Sequence, residues 1–115
     1  MENGKRHHRG RVAVLVDEMS ISAAELFAAS MQTTGRGVVV GDRSPGVALG
    51  TQFTQLPNGA LFVHPDRQYR MTDGTVLEGR GVVPDVEVSL DRELLVQGVD
   101  SQLQAAIRSI RGEAH

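Results

Sequence analysis

Ser22 stands where an apolar run gives way to a helix-forming one. It is the place in this 115-residue sequence where residue types and spacing suit covalent chemistry. The run Arg11-Val-Ala-Val-Leu-Val-Asp17 is rich in valine, the pattern of a strand buried on both faces in a parallel sheet. After a polar turn, Glu18 to Ser20, the segment Ser22-Ala-Ala-Glu25 opens a helix as a capping box. A helix N-terminus presents unpaired N–H groups and the positive end of a dipole. Both favour the negative charge that grows on a carbonyl oxygen during acyl transfer. A serine here can attack the carbonyl carbon while the N–H of Ala23 helps to hold the oxyanion. Other hydrolases use a related strand–serine–helix arrangement, but their Gly-x-Ser-x-Gly elbow is absent from this sequence. The same residues also have a plain structural use, because serine is a favoured N-cap and a capping box needs no catalysis.

A serine nucleophile needs a base. Lys5 is the only lysine and lies in a polar N-terminal run, and His64, in Val63-His64-Pro65, is the only histidine away from the termini. Nothing in the sequence brings His64 beside Ser22. No two histidines have metal-ligand spacing, so neither a metal nor another cofactor is expected.

The elements that must position Ser22 follow from the pattern on either side. Leu26, Phe27, Ala29, Ser30 and Met31 continue at helical spacing, and Gly35 supplies the stop. Arg36-Gly-Val-Val-Val-Gly41 is a second apolar strand, so strand, helix and strand form a βαβ unit with parallel strands. Gly46 to Gly50 is a glycine-bounded loop. Thr51 to Leu56 and Ala60 to Val63 flank Pro57-Asn58-Gly59, a hairpin signal, and Asp73-Gly74 marks another tight turn. Val86 to Leu90 reads as a short strand. Asp100 caps a last helix whose apolar stripe is Leu103, Ala106, Ile107 and Ile110. The fold class is α/β: a βαβ unit, then β-hairpins, then a C-terminal helix. Residues 1–10 read as a flexible polar tail and residues 11–112 as one domain.

Composition bounds the function. Apolar residues make up 40% of the chain and aromatic residues only 3%, so the core must be built from Val, Leu, Ile, Ala and Met. A net charge of −2 argues against a nucleic-acid partner, and the cluster Lys5, Arg6, His7, His8, Arg9 and Arg11 fits a solvated tail. With no cysteine, disulfides and thiolate metal sites are excluded. No apolar run approaches the ~20 residues that span a bilayer, and the N-terminus has no signal-peptide stretch.

Four blocks of the sequence resemble, in order, the C-terminal part of the catalytic domain of tail-specific (carboxyl-terminal processing) serine peptidases. Val14 to Ala28 is similar to the family's nucleophile segment and Gly35 to Ser44 to the strand that follows it. Leu77-Glu-Gly-Arg-Gly-Val-Val-Pro-Asp-Val-Glu-Val88 looks like the closing segment with its Gly-x-x-Pro-Asp signature, and Asp100 to Ile107 like the last helix. The resemblance implies a partial Clp protease/crotonase-like fold and an endopeptidase that cleaves polypeptides through an acyl-enzyme. Members are often extracytoplasmic. In the family's Ser-x-Ser-x-x-Glu motif the second serine is the nucleophile, which is Ser22 here. Ser20 matches the serine that shapes the turn, and Glu25 the glutamate whose local job is capping.

The sequence departs from the best-known branch at one position. That branch has its lysine 25 residues after the serine, where this chain has Val47. The wording Ser-Ile-Ser-Ala-Ala-Glu looks more like the tricorn-like branch, which resembles a Ser–His–Glu system with its histidine in an earlier segment. Glu78 matches the glutamate that precedes the Gly-x-x-Pro-Asp signature; its structural alternative is a solvated hairpin residue. The family's upstream strands and Gly-Gly loop do not precede Arg11, so the isolated chain is expected to be nearly inactive. Uncovered sheet edges are expected to make it a homo-oligomer. The competing expectation is a non-catalytic binding module, since the same fold resembles the repeats of interphotoreceptor retinoid-binding proteins.

Overall fold

The structure, a computed structural model, describes residues 8–113. The chain runs β1 (Ala13–Val16), α1 (Ala23–Thr33), β2 (Val38–Gly41), β3 (Leu49–Gln55), β4 (Leu61–Gln68), β5 (Val86–Glu87), α2 (Arg92–Val96) and α3 (Ser101–Arg111). β1, β2 and β5 form a parallel sheet in that order, and β3 and β4 form a separate antiparallel hairpin. The expected βαβ unit is β1–α1–β2, with Ala13 opposite Val38 and Val16 opposite Gly41.

Alternation along the strands divides the core between the two faces of the sheet. Val16 and Val39 point to one face and pack on Ala28 and Ala29 of α1, with Ala48, Leu77 and Val82 closing that cluster. Val40 points to the other face and meets Ala105 and Ala106 of α3. The alanines let both helices lie close to a narrow sheet. β1 is less covered than a strand buried on both faces: Leu15 is 45% exposed. β1 lies at the sheet's edge, and α3 leaves its outer side open.

Asp85, of the Gly-x-x-Pro-Asp signature, ties the unit together. Its Oδ2 accepts from Val39 N–H at 2.7 Å and its Oδ1 from Gln32 Nε2 at 2.8 Å, joining the entry to β5 to both β2 and α1. β5 is two residues long rather than the five expected. Beyond Val88 the chain turns away to α3, where Gln102 and Ser101 donate to the carbonyls of Val88 and Ser89. The helix capped by Asp100 forms as expected, with Asp100 Oδ1 accepting from Leu103 N–H. α2, capped by Asp91, was not foreseen; none of its five residues is buried, so no apolar periodicity announces it. Of the expected polar tail, residues 1–7 lie outside the described residues. His8 and Gly10 are exposed, and their carbonyls accept hydrogen bonds from Arg36.

Candidate active site

Ser22 follows the C-terminal end of β1 and immediately precedes α1. Its backbone lies at φ 56, ψ −118, and it is the only non-glycine residue with positive φ among the described residues. An ordinary cap does not look like this. Asp91 and Asp100 cap α2 and α3 from extended backbone, at φ −83, ψ 109 and φ −87, ψ 110, with carboxylates that accept helix N–H bonds. Ser22 and Glu25 have the arrangement of a capping box, and Ser22 N–H donates to Glu25 Oε2 at 3.0 Å. The serine oxygen approaches the Glu25 amide without making a cap hydrogen bond. The hydroxyl is therefore presented to solvent on a strained turn, an arrangement that costs about 1–3 kcal/mol and persists only where its surroundings enforce it.

What enforces it is a strap, Ser44 to Ala48, laid against the turn. Ser22 N–H also donates to Val47 C=O at 2.9 Å. The wholly buried Glu25 carboxylate collects the strap's donors: Oε1 accepts from Ser44 Oγ and Gly46 N–H, both at 2.7 Å, and Oε2 from Val47 N–H at 2.9 Å. Capping is thus a small part of Glu25's work. Sequence reasoning missed Ser44 and Gly46 as its partners; the glycine-bounded loop after β2 was the only hint. The strap is locked from behind by residues 77–82. Gly79 N–H donates to Gly46 C=O at 2.9 Å, and Val82 N–H to Ser44 Oγ at 2.7 Å. Gly81 sits at φ 73 so tightly that a Cβ there would be driven into the Ser44 carbonyl oxygen.

Glu78 belongs to the same assembly and is half-buried rather than a solvated hairpin residue. Its Oε2 accepts from Ala48 N–H at 2.7 Å. It therefore holds the residue next to Val47, which in turn holds Ser22. No hydrogen bond joins Ser22 to Glu78 among the described residues. Ala23 is exposed, and its N–H, the first of α1, has no acceptor among the described residues. Around Ser22 the side chains of Met19, Ile21 and Val47 are all more than half exposed. His64 is elsewhere, on the projecting hairpin, with Nε2 3.0 Å from Thr54 Oγ1 and its ring stacked on Phe62. No histidine or lysine side chain contacts Ser22 among the described residues, and Lys5 lies outside them. No group of side chains suited to hold a metal ion gathers among the described residues, and none of their helices is long and apolar enough to cross a membrane.

Comparison with known proteins places this geometry. The chain belongs to peptidase family S41, whose family model matches residues 1–88. It is 29% identical over 79 residues to a probable CtpA-like serine protease of Staphylococcus epidermidis, covering 69% of this chain and 16% of that protein. It is also 29% identical over 104 residues to the tricorn protease of Thermoplasma acidophilum, covering 89% of this chain and 10% of that one. Among solved structures, tricorn protease superposes with a TM-score of 0.77 at 25% identity over 94% of this chain and 12% of its own. The photosystem II D1 C-terminal processing protease superposes with a TM-score of 0.63 at 28% identity over 67% of this chain and 20% of its own. The chain thus spans only a tenth to a sixth of the length of these two serine protease relatives.

Proposed function

We propose that this chain carries the nucleophile half of a serine endopeptidase site, on a partial Clp protease/crotonase-like fold, and that its substrates are polypeptides of the tail-specific type. The observation that carries this is the backbone of Ser22, whose strain a helix cap does not need. Ser22 Oγ attacks the scissile carbonyl carbon and its proton passes to a base contributed from outside the described residues. The Ala23 N–H donates to the oxyanion. The C–N bond then breaks, the leaving amine takes the proton, and water hydrolyses the acyl-enzyme. Glu78 is a positioning residue: one carboxylate oxygen anchors Ala48, and the other remains to orient the incoming base. Among the described residues no base contacts Ser22, and one lost oxyanion donor alone costs about a hundred-fold or more, so these residues by themselves are expected to turn over slowly.

The test is cleavage of fluorescein-labelled casein by the longest natural form of the protein, with and without Ser22→Ala. A fluorophosphonate probe, with the modified serine mapped by mass spectrometry, accompanies it. The reading expects turnover to fall at least about a thousand-fold in the variant, with label on Ser22 alone. Equal turnover in both proteins, or label spread over other serines, would return Ser22 to a capping role and favour the binding-module reading.

A further inference from the structure

Two turns of the chain share one construction. In Asn58-Gly59-Ala60, at the tip of the β3–β4 hairpin, and in Asp73-Gly74-Thr75, a side-chain oxygen of the first residue accepts from the N–H two positions on. Asn58 Oδ1 lies 3.0 Å from Ala60 N, and Asp73 Oδ1 lies 2.9 Å from Thr75 N. The glycine between has φ 84 in one turn and 89 in the other, and no atom of the described chain lies within 4 Å of the place a Cβ would take. Its N–H donates three residues back, from Gly59 to Leu56 C=O at 2.8 Å and from Gly74 to Met71 C=O at 2.9 Å. Asn58, Gly59, Asp73 and Gly74 are all exposed. In such a turn the side chain folds back along its own backbone. The ring closed by the hydrogen bond contains both Cγ of the first residue and the glycine nitrogen, so the two stay near one another, and glycine puts no side chain in the way.

We propose that Asn58 is a site of spontaneous covalent modification, at which the Gly59 nitrogen displaces ammonia from the side chain and the hairpin tip becomes a mixture of aspartate and isoaspartate. Hydroxide takes the proton from Gly59 N, and the nitrogen lone pair attacks Asn58 Cγ. A C–N bond forms, the bond from Cγ to the amide nitrogen breaks, and that nitrogen takes up a proton and leaves as ammonia. One water molecule opens the cyclic imide. Attack at Cγ gives aspartate, and attack at the backbone carbonyl carbon gives isoaspartate. Asp73 has the same frame but lacks the leaving group. The backbone N–H of Thr75 holds its carboxyl below the usual carboxylate range, and an ionised carboxylate is a poor electrophile. Aspartate at position 58 would keep the turn, as Asp73 shows. Isoaspartate would not. The main chain then runs through the side chain, one methylene longer, Ala60 N–H loses its acceptor, and the Leu56 N–H bond to Ala60 C=O that closes the hairpin opens. Either product adds a negative charge beside Leu61 and Phe62, both more than half exposed. β3 begins at Leu49 next to the strap, and the tip lies beyond its other end, so none of this depends on the role of Ser22.

The folded turn opposes the reaction to a limited degree. Gly59 N–H must first leave Leu56 C=O, and a hydrogen bond of this kind is worth about two- to ten-fold in an equilibrium. Asn58 should therefore react no more than about ten-fold more slowly than in the free peptide of residues 55–61. The folded protein is aged in mildly alkaline buffer at body temperature and digested with trypsin. Asn58 then falls on fragment 44–67 and Asp73 on fragment 71–80, while Asn3-Gly4, which lies outside the described residues, falls on fragment 1–5 and is scored by itself. Chromatography against synthetic standards separates the asparagine, aspartate and isoaspartate forms of each. The expected result is conversion of Asn58 within that ten-fold limit, with Asp73 unchanged in the same sample. Asn58→Asp should be as inert as Asp73. Gly59→Ala, which puts a Cβ beside the attacking nitrogen and disfavours the positive φ, should slow conversion at least about ten-fold. Isoaspartate at position 58 should also speed amide hydrogen exchange at Leu56 and Ala60. Conversion slower than the ten-fold limit, isomerisation of Asp73 as fast as loss of Asn58, or a Gly59→Ala variant that reacts as fast as the parent would each overturn the proposal.

Discussion

Removing the Glu25 carboxylate separates two readings of that residue by magnitude. If it merely capped α1, Glu25→Ala would cost the ~0.5–2 kcal/mol typical of a lost cap. The structure demands more. The carboxylate is fully buried and accepts four hydrogen bonds, from Ser22 N–H, Ser44 Oγ, Gly46 N–H and Val47 N–H. Ser22 N–H keeps Val47 C=O as an alternative; the other three donors do not have one. Ser44 Oγ and Gly46 N–H are buried and Val47 N–H only partly so, and each buried donor left unpaired costs about 1–3 kcal/mol. Allowing for entry of water into the space vacated, Glu25→Ala should lose about 3–6 kcal/mol, a large part of the ~5–15 kcal/mol that holds a domain together. Glu25→Gln keeps the shape and one acceptor oxygen, and strands either Gly46 N–H or Val47 N–H against its NH2 group. Its cost should be about 2–3 kcal/mol, a fall in Tm of roughly 8 °C or more. Urea and thermal unfolding followed by far-UV circular dichroism read both. If Glu25→Ala lost no more than about 1 kcal/mol, within the range of a cap alone, the strap would not hang on this carboxylate and the account of the site would fail.

Ser22→Gly should stabilise the protein by about 1 kcal/mol, because relief of the strained φ outweighs glycine's backbone entropy; urea unfolding should show no such gain for Ser22→Ala, which keeps a Cβ. Gly81→Ala should lose more than about 3 kcal/mol by forcing Ser44 away from the 77–82 segment, whereas Gly59→Ala, also at positive φ but in open space, should lose only about 1. Paired thermal melts of the two alanine variants separate the clash from the backbone strain common to both.

What could be read from the sequence was local. The valine runs, the Ser-x-x-Glu spacing, the Pro57-Asn58-Gly59 turn and the Asp100 cap each involve residues within a few positions of one another, and each element formed. What escaped was reach. Glu25 meets Ser44 and Gly46 across 19 and 21 residues, and Glu78 meets Ala48 across 30. Most of these partners are backbone N–H groups, which every residue but proline has, so no residue type betrays them. A glutamate three positions after a serine reads as a cap because the cap is the only partner in view. Leu15 escaped for a related reason: a valine-rich run looks the same at an edge as at the centre of a sheet, and only topology reveals which faces are covered. For Glu78 the family wording pointed to the position, but not to Ala48 of the strap, on which its carboxylate is anchored.

The strap also explains why strain at Ser22 survives. A serine free to choose would relax to the extended backbone that Asp91 and Asp100 adopt as N-caps, and its hydroxyl would take up a helix N–H. Two acceptors oppose this, Glu25 Oε2 and Val47 C=O, which hold the Ser22 N–H at 3.0 and 2.9 Å. Val47 is itself fixed by Glu25 through its N–H, while Glu78 fixes Ala48. One buried carboxylate and one half-buried carboxylate thus hold a loop that in turn holds the serine turn. The stability of that loop is what meets the cost of presenting an unbonded hydroxyl beside a free helix N–H. As a cap the arrangement is a poor one, since Ser22 and Glu25 take up the geometry of a capping box but the serine oxygen makes no cap hydrogen bond. Under the proposed function the same arrangement exposes the serine and sets the Ala23 N–H beside it as oxyanion donor, and the two carboxylates that hold the loop support both.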